Sequence, residues 1–306
     1  MKNKCDYLVL DITNLLFRSY YVQRDQPIEI ISGMAILNIM NSVKKLYDEF
    51  KPTKLVMAFD RYSWRKDYTA SAECISKKKY KGNRRIDQTE AQQQKYQEFK
   101  EHIKQFEELI THHTTIITLE ADKLEADDII AGFCQMYHKD NSIIVISADS
   151  DLSQLLQYEN VNVITPATYK THLLEKYEDD PLFYLFQKCI RGDPTDNITS
   201  AYPRVRSKRL LECYNDPYLM TNLLNERWTD VNGDVYLVND LFKENQLLID
   251  LSKQPEYIKQ LMTTTILDGM SIQKKFSLFH ILKYLGSLNL QKMVQQIDKF
   301  IPVLSL

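Results

Sequence analysis

Glycine is scarce in this sequence, with seven in 306 residues. None opens a Gly-x-x-x-x-Gly-Lys-Ser/Thr loop or a Gly-x-Gly-x-x-Gly turn, so the backbone cradles that hold nucleotide cofactors are absent. Five cysteines, at positions 5, 74, 134, 189 and 213, form no Cys-x-x-Cys pair and have no histidine at ligand spacing. That excludes a disulfide framework and a zinc site, and fits a reducing cytoplasm. The first apolar stretch meets Asp11 after four residues, and no run approaches the roughly 18 apolar residues of a membrane span. A cytoplasmic protein with no membrane partner is expected, and a monomer is the default. The six histidines are scattered, and His112 and His113 merely precede an apolar run, so they are read as structural or exposed. Cys134 and Cys189 sit among apolar residues as small core side chains.

Charge is plentiful but segregated. The total is nearly balanced, 39 Lys or Arg against 41 Asp or Glu. Yet 61–85 carries nine cations against Asp67 and Glu73 alone, while 122–151 is rich in acid. The two stretches need different partners.

Short β-branched runs at 7–10, 54–59, 114–119, 142–147 and 161–165 read as buried strands. Helical periodicity fills 34–50 and 88–110, the latter with Tyr96, Phe99, Ile103, Phe106 and Ile110 at spacings of three and four. Alternation of this kind predicts an α/β fold whose mostly parallel sheet is flanked by helices, with ligand chemistry beyond the carboxyl ends of its strands. Beyond 180 the periodicity is helical, at 182–191, 207–214, 241–251, 274–285 and 290–300, with a hairpin or loop at 231–238 around Asn232-Gly233. The expected organisation is a catalytic domain over 1–180 and a helical domain over 181–306, with a soft boundary and a shared core as the alternative.

Three predicted strands deliver aspartates to one edge: Asp11, Asp60, and Asp149 with Asp151. Glu125, Asp127 and Asp128 open the helix after the third strand, and Asp193 and Asp196 lie in the turn Gly192-Asp193-Pro194-Thr195-Asp196-Asn197. Taken singly, each acid is as readily a helix cap or turn residue. Recurrence at three strand ends shifts the balance to a metal cluster, because gathered carboxylates repel one another unless cations neutralise them. Oxygen-only donors select Mg²⁺, with Mn²⁺ able to substitute, and two ions about 4 Å apart would suit phosphodiester hydrolysis. A phosphoaspartyl phosphatase would place a second acid two residues after Asp11, where this chain has Thr13.

Basic and aromatic residues interleave at Arg61-Tyr62-Ser63-Trp64-Arg65-Lys66 and again from Lys77 through Tyr80 and Lys81 to Arg84 and Arg85. Cations meet phosphates and rings stack on bases, so this loop beside Asp60 suits a nucleic-acid strand better than the solvated loop an isolated basic run would be. A second basic run, Arg204-Val205-Arg206-Ser207-Lys208-Arg209, would grip a duplex backbone.

In order, Leu10-Asp11, Phe59-Asp60-Arg61, Tyr80-Lys81-Gly82-Asn83-Arg84, Glu125-Ala126-Asp127-Asp128, Ser147-Ala148-Asp149-Ser150-Asp151 and the Gly192 to Asn197 turn resemble the motif series of the 5′-nuclease superfamily, its phage members in particular. The resemblance implies a PIN-like domain with a helical arch near 61–90 and a helix-three-turn-helix DNA clamp in the C-terminal part. It implies one metal site at Asp11, Asp60, Asp127 and Asp149, and a second at Glu125, Asp128, Asp151, Asp193 and Asp196. Lys81 and Arg65 would reach from the arch to the scissile phosphate as catalytic groups beside Asp127, with Tyr80 stacking and Arg84 on the strand. The clamp departs from the family in one respect: 198–204 contains no glycine, so a backbone-held potassium ion is not expected and Arg204, Arg206 and Lys208 should grip the duplex instead.

The resulting expectation is a flap endonuclease and 5′ to 3′ exonuclease with ribonuclease H activity that removes RNA primers and adjacent DNA from phage lagging strands. Its partners would be branched or primer-bearing DNA and RNA/DNA duplex. Two alternatives stand beside it, a non-enzymatic junction-binding protein and a PIN-type RNA endonuclease. The apolar tail 300–306 has two readings, docking on a sliding clamp or single-strand DNA-binding protein, or packing against the body.

Overall fold

A computed structural model describes residues 4–23, 25–84, 89–166, 168, 170–171, 174, 177 and 179–306. The chain opens with β1 (Tyr7–Asp11), α1 (Ile12–Val22), α2 (Ile28–Phe50) and β2 (Lys54–Ala58). Next come α3 (Trp64–Ala70), α4 (Glu90–His113), β3 (Ile117–Leu119), α5 (Ala126–Tyr137) and β4 (Ile143–Ile146). A 3₁₀ helix, Ser150–Gln157, leads to β5 (Val161–Thr165), β6 (Lys170–Thr171) and α6 (Pro181–Arg191). The remainder is α7 (Ser207–Asn215), α8 (Pro217–Leu224), β7 (Arg227–Thr229), β8 (Val235–Leu237), α9 (Val238–Ile249), α10 (Glu256–Ser271), α11 (Leu278–Ser287), α12 (Gln291–Gln295) and α13 (Ile301–Leu304).

Six strands form one sheet in the order β3-β2-β1-β4-β5-β6, parallel except for the short β6 at its edge. The all-apolar runs bury both faces of the central strands, as a parallel sheet requires. Register aligns Leu10 with Met57 and with Ile146, which brings Asp11, Asp60 and Asp149 to a common carboxyl edge.

One face of the sheet packs against α1, α2 and α4 through Leu8, Leu10, Ile39, Phe99 and Phe106. The other face carries Val9, Val56 and Val145 against Ile129 and Phe133 of α5 and Met262 and Ile266 of α10. Elements beyond 180 complete both layers: Ile281, Leu285, Phe300, Val303 and Leu304 join the first core. The tail therefore packs against the body, where the Thr115 amide donates to the Leu304 carbonyl at 3.0 Å. Little of it is left to dock on a clamp or single-strand DNA-binding protein. A third cluster, with Phe183, Phe186, Ile190, Leu210 and Leu223, holds α6, α7 and α8 together.

Several boundaries differ from the sequence reading for local reasons. Thr89 and Gln92 form a reciprocal capping box that starts α4. The 231–238 signal is the tip and second strand of the β7–β8 hairpin, whose turn Asp230 secures by accepting from the Asn232 and Asp234 amides at 2.9 Å each. Helix α10 went unread, and the expected helix 290–300 is broken into α12 and a 3₁₀ turn before α13, which has Pro302 in its first turn. No helix among the described residues is long and apolar enough to cross a membrane.

Candidate metal and nucleic-acid site

The acids are held by the chain itself before any ligand is considered. Asp11 ends β1 and caps α1, accepting from the Asn14 amide at 3.1 Å and the Ser147 hydroxyl at 2.9 Å. Just past β2, the Asp60 amide donates to Thr13 Oγ1 at 2.9 Å, and its carboxylate accepts from Ala126 at the start of α5 at 2.7 Å. Asp149 caps the 3₁₀ helix and accepts from the Asp151 amide at 2.9 Å. Helix N-termini are natural seats for such charge, since their free N–H groups point at it.

Crowding shows in the titration of the group. Burial, and then Asp60, push the Asp11 carboxyl up to about 8. Burial and Glu125 raise Asp60 likewise, and burial lifts Asp127 well above the usual carboxylate range despite the pull of Arg65. Glu125 goes the other way: burial would raise it, but Lys81 and Arg65 hold it down to about 2.

Built-in cations divide the nine acids into two sets. Lys81 Nζ lies 2.5 Å from Glu125 and 3.7 Å from Asp196, and Arg84 pairs with Asp196 at 2.5 Å. Lys188, on α6, pairs with Asp151 and lies 3.0 Å from Asp193. Asp128 is paired on both oxygens with Arg65, at 2.8 and 2.9 Å. Asp11, Asp60, Asp127 and Asp149 have no ion-pair partner among the described residues. Oxygen-only donors with no direct ion-pair partner fit a hard divalent cation.

Three expectations need correction. Arg65 does not project toward a phosphate: it is 1 % exposed, sandwiched between α5 and α9, with its Nε donating to the Leu248 carbonyl at 2.8 Å. Oxygens of Glu125, Asp127 and Asp128 approach within 4.8 Å of one another, but the Arg65 fork already engages both Asp128 oxygens. Asp128 is 0 % exposed and works as the counter-ion of Arg65 beneath the site. Tyr80 is no stacking platform. Its ring is buried with Leu185, Ile198 and Leu248, and its hydroxyl lies 2.9 Å from Asp196 and 3.1 Å from Glu125. Burial, then Glu125, raise its pKa well above that of an ordinary phenol, so it remains a hydrogen-bond donor.

The basic segment is tied across the Gly192 to Asn197 turn. The Lys81 amide donates to the Asp196 carbonyl at 2.8 Å, Asn83 Nδ2 to the Pro194 carbonyl at 2.8 Å, and Asn197 Nδ2 to the Lys79 carbonyl at 2.9 Å. Gly192 is required here: its φ is +68°, and an added Cβ would lie 2.5 Å from the Ile198 carbonyl oxygen. Arg85, and the part of the expected arch at 86–88, lie outside the described residues. On the second basic run, Arg204, Arg206 and Lys208 are all exposed around the start of α7. A cavity of about 260 Å³ beside them is lined by Tyr202, Pro203, Arg204, Val205, Arg206 and Arg209.

Sequence reasoning missed Lys188. Its signal was position, since it lies on α6 four residues before Gly192, within reach of the turn acids. Ser147 and Thr13, which orient Asp11 and Asp60, carried no sequence signal at all.

Residues 6–180 match the family of 5′-3′ exonuclease N-terminal resolvase-like domains. The chain is 26 % identical to the ribonuclease H of Enterobacteria phage T4 over 306 residues, covering 95 % of each. Its fold is similar to that of the T5 5′-exonuclease with bound zinc, at a TM-score of 0.63 and 21 % identity, covering 86 % of this chain and 98 % of that one. The T5 flap endonuclease in a pseudo-enzyme–product complex with DNA and metal ions gives a TM-score of 0.63 at 20 % identity, over 87 % of this chain and 99 % of that one.

Proposed function

The chain belongs to the 5′-3′ exonuclease family, and from that premise we propose that it is a structure-specific 5′-nuclease. It cuts flaps and trims 5′ ends, removing RNA primers and adjacent DNA in phage lagging-strand replication. The observation that carries this reading is the division of the acid cluster. Asp11, Asp60 and Asp149 stand together at the sheet edge where such folds do their chemistry, with Asp127 beside Glu125 and Asp128, and none of these four has a direct ion-pair partner among the described residues. They would hold the first ion. Glu125, Asp151, Asp193 and Asp196, paired with lysine or arginine, border the second position.

Mg²⁺ bound there, or Mn²⁺ in its place, supplies the charge that activates a water and steadies the leaving oxygen. The protein's own part is orientation. Ser147 and Thr13 fix Asp11 and the Asp60 backbone, and the Tyr80 hydroxyl holds Glu125 and Asp196 in register. Lys81, at the mouth of the cluster, presents its ammonium to an incoming phosphate. Arg84, Arg204, Arg206 and Lys208 supply the backbone grip.

Product mapping on a 5′-flap duplex and an RNA-primed duplex, with Mg²⁺ and with the Asp127→Asn variant alongside, tests the reading. Cuts at the junction that need metal and vanish in the variant are expected. Tight binding without cleavage in either metal would overturn it in favour of a junction-binding protein, and cleavage confined to single-stranded RNA in favour of a PIN-type endonuclease.

A further inference from the structure

Beside Asp151, Asp193 and Lys188 lies a cavity of about 590 Å³, within the size range of small-molecule sites. One face of α6 forms a wall of it: Tyr184, Gln187, Lys188 and Arg191, at successive helical spacings of three, one and three. Gln187 is 3 % exposed, and its side-chain amide has no hydrogen-bond partner among the described residues. Amides so enclosed are normally bonded, and one left without a protein partner on a cavity wall is free for a ligand. Around it, the edge-to-face pair Tyr177 and Tyr184, 4.9 Å between ring centroids, supplies an aromatic surface. Arg191 donates one N–H to Ser207, and the rest of its guanidinium has no partner among the described residues.

We propose that this cavity is a single-nucleotide subsite. It takes one nucleotide of the substrate, with its phosphate on Arg191 and Lys188, its base along Tyr177, and its base edge or sugar hydroxyl on the Gln187 amide. The amide both donates and accepts, as do the ribose 2′-hydroxyl and the edges of the bases. The cavity shares Lys188 and Asp193 with the metal position, so the nucleotide seated there adjoins the bond to be cut. This deepens the nuclease reading and rests on it.

The test is titration of the full chain with adenosine 5′-monophosphate, its 2′-deoxy analogue and uridine 5′-monophosphate. Ca²⁺ replaces Mg²⁺, and cleavage of a 5′-flap duplex in Mg²⁺ is measured in parallel. Gln187→Leu should weaken adenosine monophosphate binding about five- to tenfold, the loss of one hydrogen bond. Arg191→Ala, an exposed change, should weaken every nucleotide and leave unphosphorylated adenosine unaffected. A loss confined to the ribonucleotide assigns Gln187 to the sugar, and one that follows the base assigns it to the base edge. Unchanged binding in both variants, with flap cleavage intact, would overturn the subsite and spare the nuclease. Nucleotide binding that depends on Gln187, with no cleavage by the unmodified protein, would overturn the nuclease reading and spare the subsite.

Discussion

Replacing Arg65 by Met should unfold this protein more readily rather than merely slow it. The guanidinium is 1 % exposed and makes two bonds to Asp128, one to Glu125 at 3.1 Å and one to the Leu248 carbonyl. Burial alone would lower its pKa, but Asp128 and then Asp127 hold it well above the ordinary value, so the guanidinium is charged. Its loss leaves Asp128, which has no solvent contact, with only Gln254 at 3.2 Å and the Glu125 amide at 3.3 Å. Glu125 keeps Lys81, so most of the cost falls on Asp128. Breaking a buried pair in this way costs about 3–5 kcal/mol. With a urea slope of about 3 kcal/mol/M, the unfolding midpoint should fall by roughly 1–1.7 M. Arg65→Lys, which cannot reproduce the fork, should fall between the two. The double variant Arg65→Met with Asp128→Leu should recover most of the loss, because neither charge is then left alone. A single variant within about 1 kcal/mol of the unmodified protein, or a double variant no more stable than the single, would refute the reasoning. So would loss of activity at unchanged stability, the signature of a phosphate-contacting arginine.

Other consequences follow from the same partition. Asp127→Asn should lower cleavage by more than about 100-fold, the upper range for disturbing a metal's surroundings, while leaving the metal-free unfolding midpoint little changed, because without an ion this raised carboxyl already carries a proton. Mg²⁺ at about 100 times its dissociation constant should stabilise the protein by about 2.7 kcal/mol, and EDTA should reverse the gain. Replacing Arg204, Arg206 and Lys208 together by Ala should flatten the salt dependence of duplex binding by about 2–3 in log–log slope; an unchanged slope would remove them from the grip. Lys274 is pulled down to about 8 by burial, and its ammonium is bonded to the Ile116 carbonyl at 2.6 Å and Thr118 Oγ1 at 2.8 Å. Between pH 8 and its unfolded value near 10.4 the unfolded chain binds more protons, so this residue makes stability rise with pH across that window. Lys274→Met should abolish the rise, read as an unfolding midpoint that converges with the unmodified protein's from pH 7.5 to 10.

The parallel sheet was legible because its strands are buried on both faces, so the apolar runs are continuous and bounded. Strand ends carried the site with them: the apolar runs end at Asp11, Asp60 and just before Asp149, which sets those acids at one edge in the sequence itself. What escaped were features that depend on a partner far along the chain. Helix α10 is amphipathic only weakly, and it is held by the groove beside β3, where Gly269 lets the Leu119 side chain approach. Tyr80 and Arg65 were read as substrate contacts because basic and aromatic residues beside an acid loop have that meaning when exposed. Here α9 covers them, through the Leu248 carbonyl and side chain, 183 residues from Arg65.

Residue type alone could not divide the acids, because all nine are carboxylates at helix starts and turns. Asp127 and Asp128 are adjacent in sequence, yet both Asp128 oxygens are engaged by Arg65 while Asp127 has no ion-pair partner among the described residues. The distinction lies in where the counter-charge comes from. A carboxylate whose cation is covalently part of the protein is satisfied without ligand, at the entropic cost of one ordered side chain. One without such a cation keeps its charge only if an ion arrives from solution, and otherwise takes up a proton. Asp11, raised to about 8 by burial and Asp60, is in that second condition, and on the proposed reading it belongs to the part of the cluster that an external ion would complete. Lys81 and Lys188 relieve the rest, so an ion entering beside Glu125 or Asp193 must share those oxygens with an ammonium already in place. On the proposed two-ion reading, the first ion would meet acids that have no ion-pair partner among the described residues, and the second would meet a lysine.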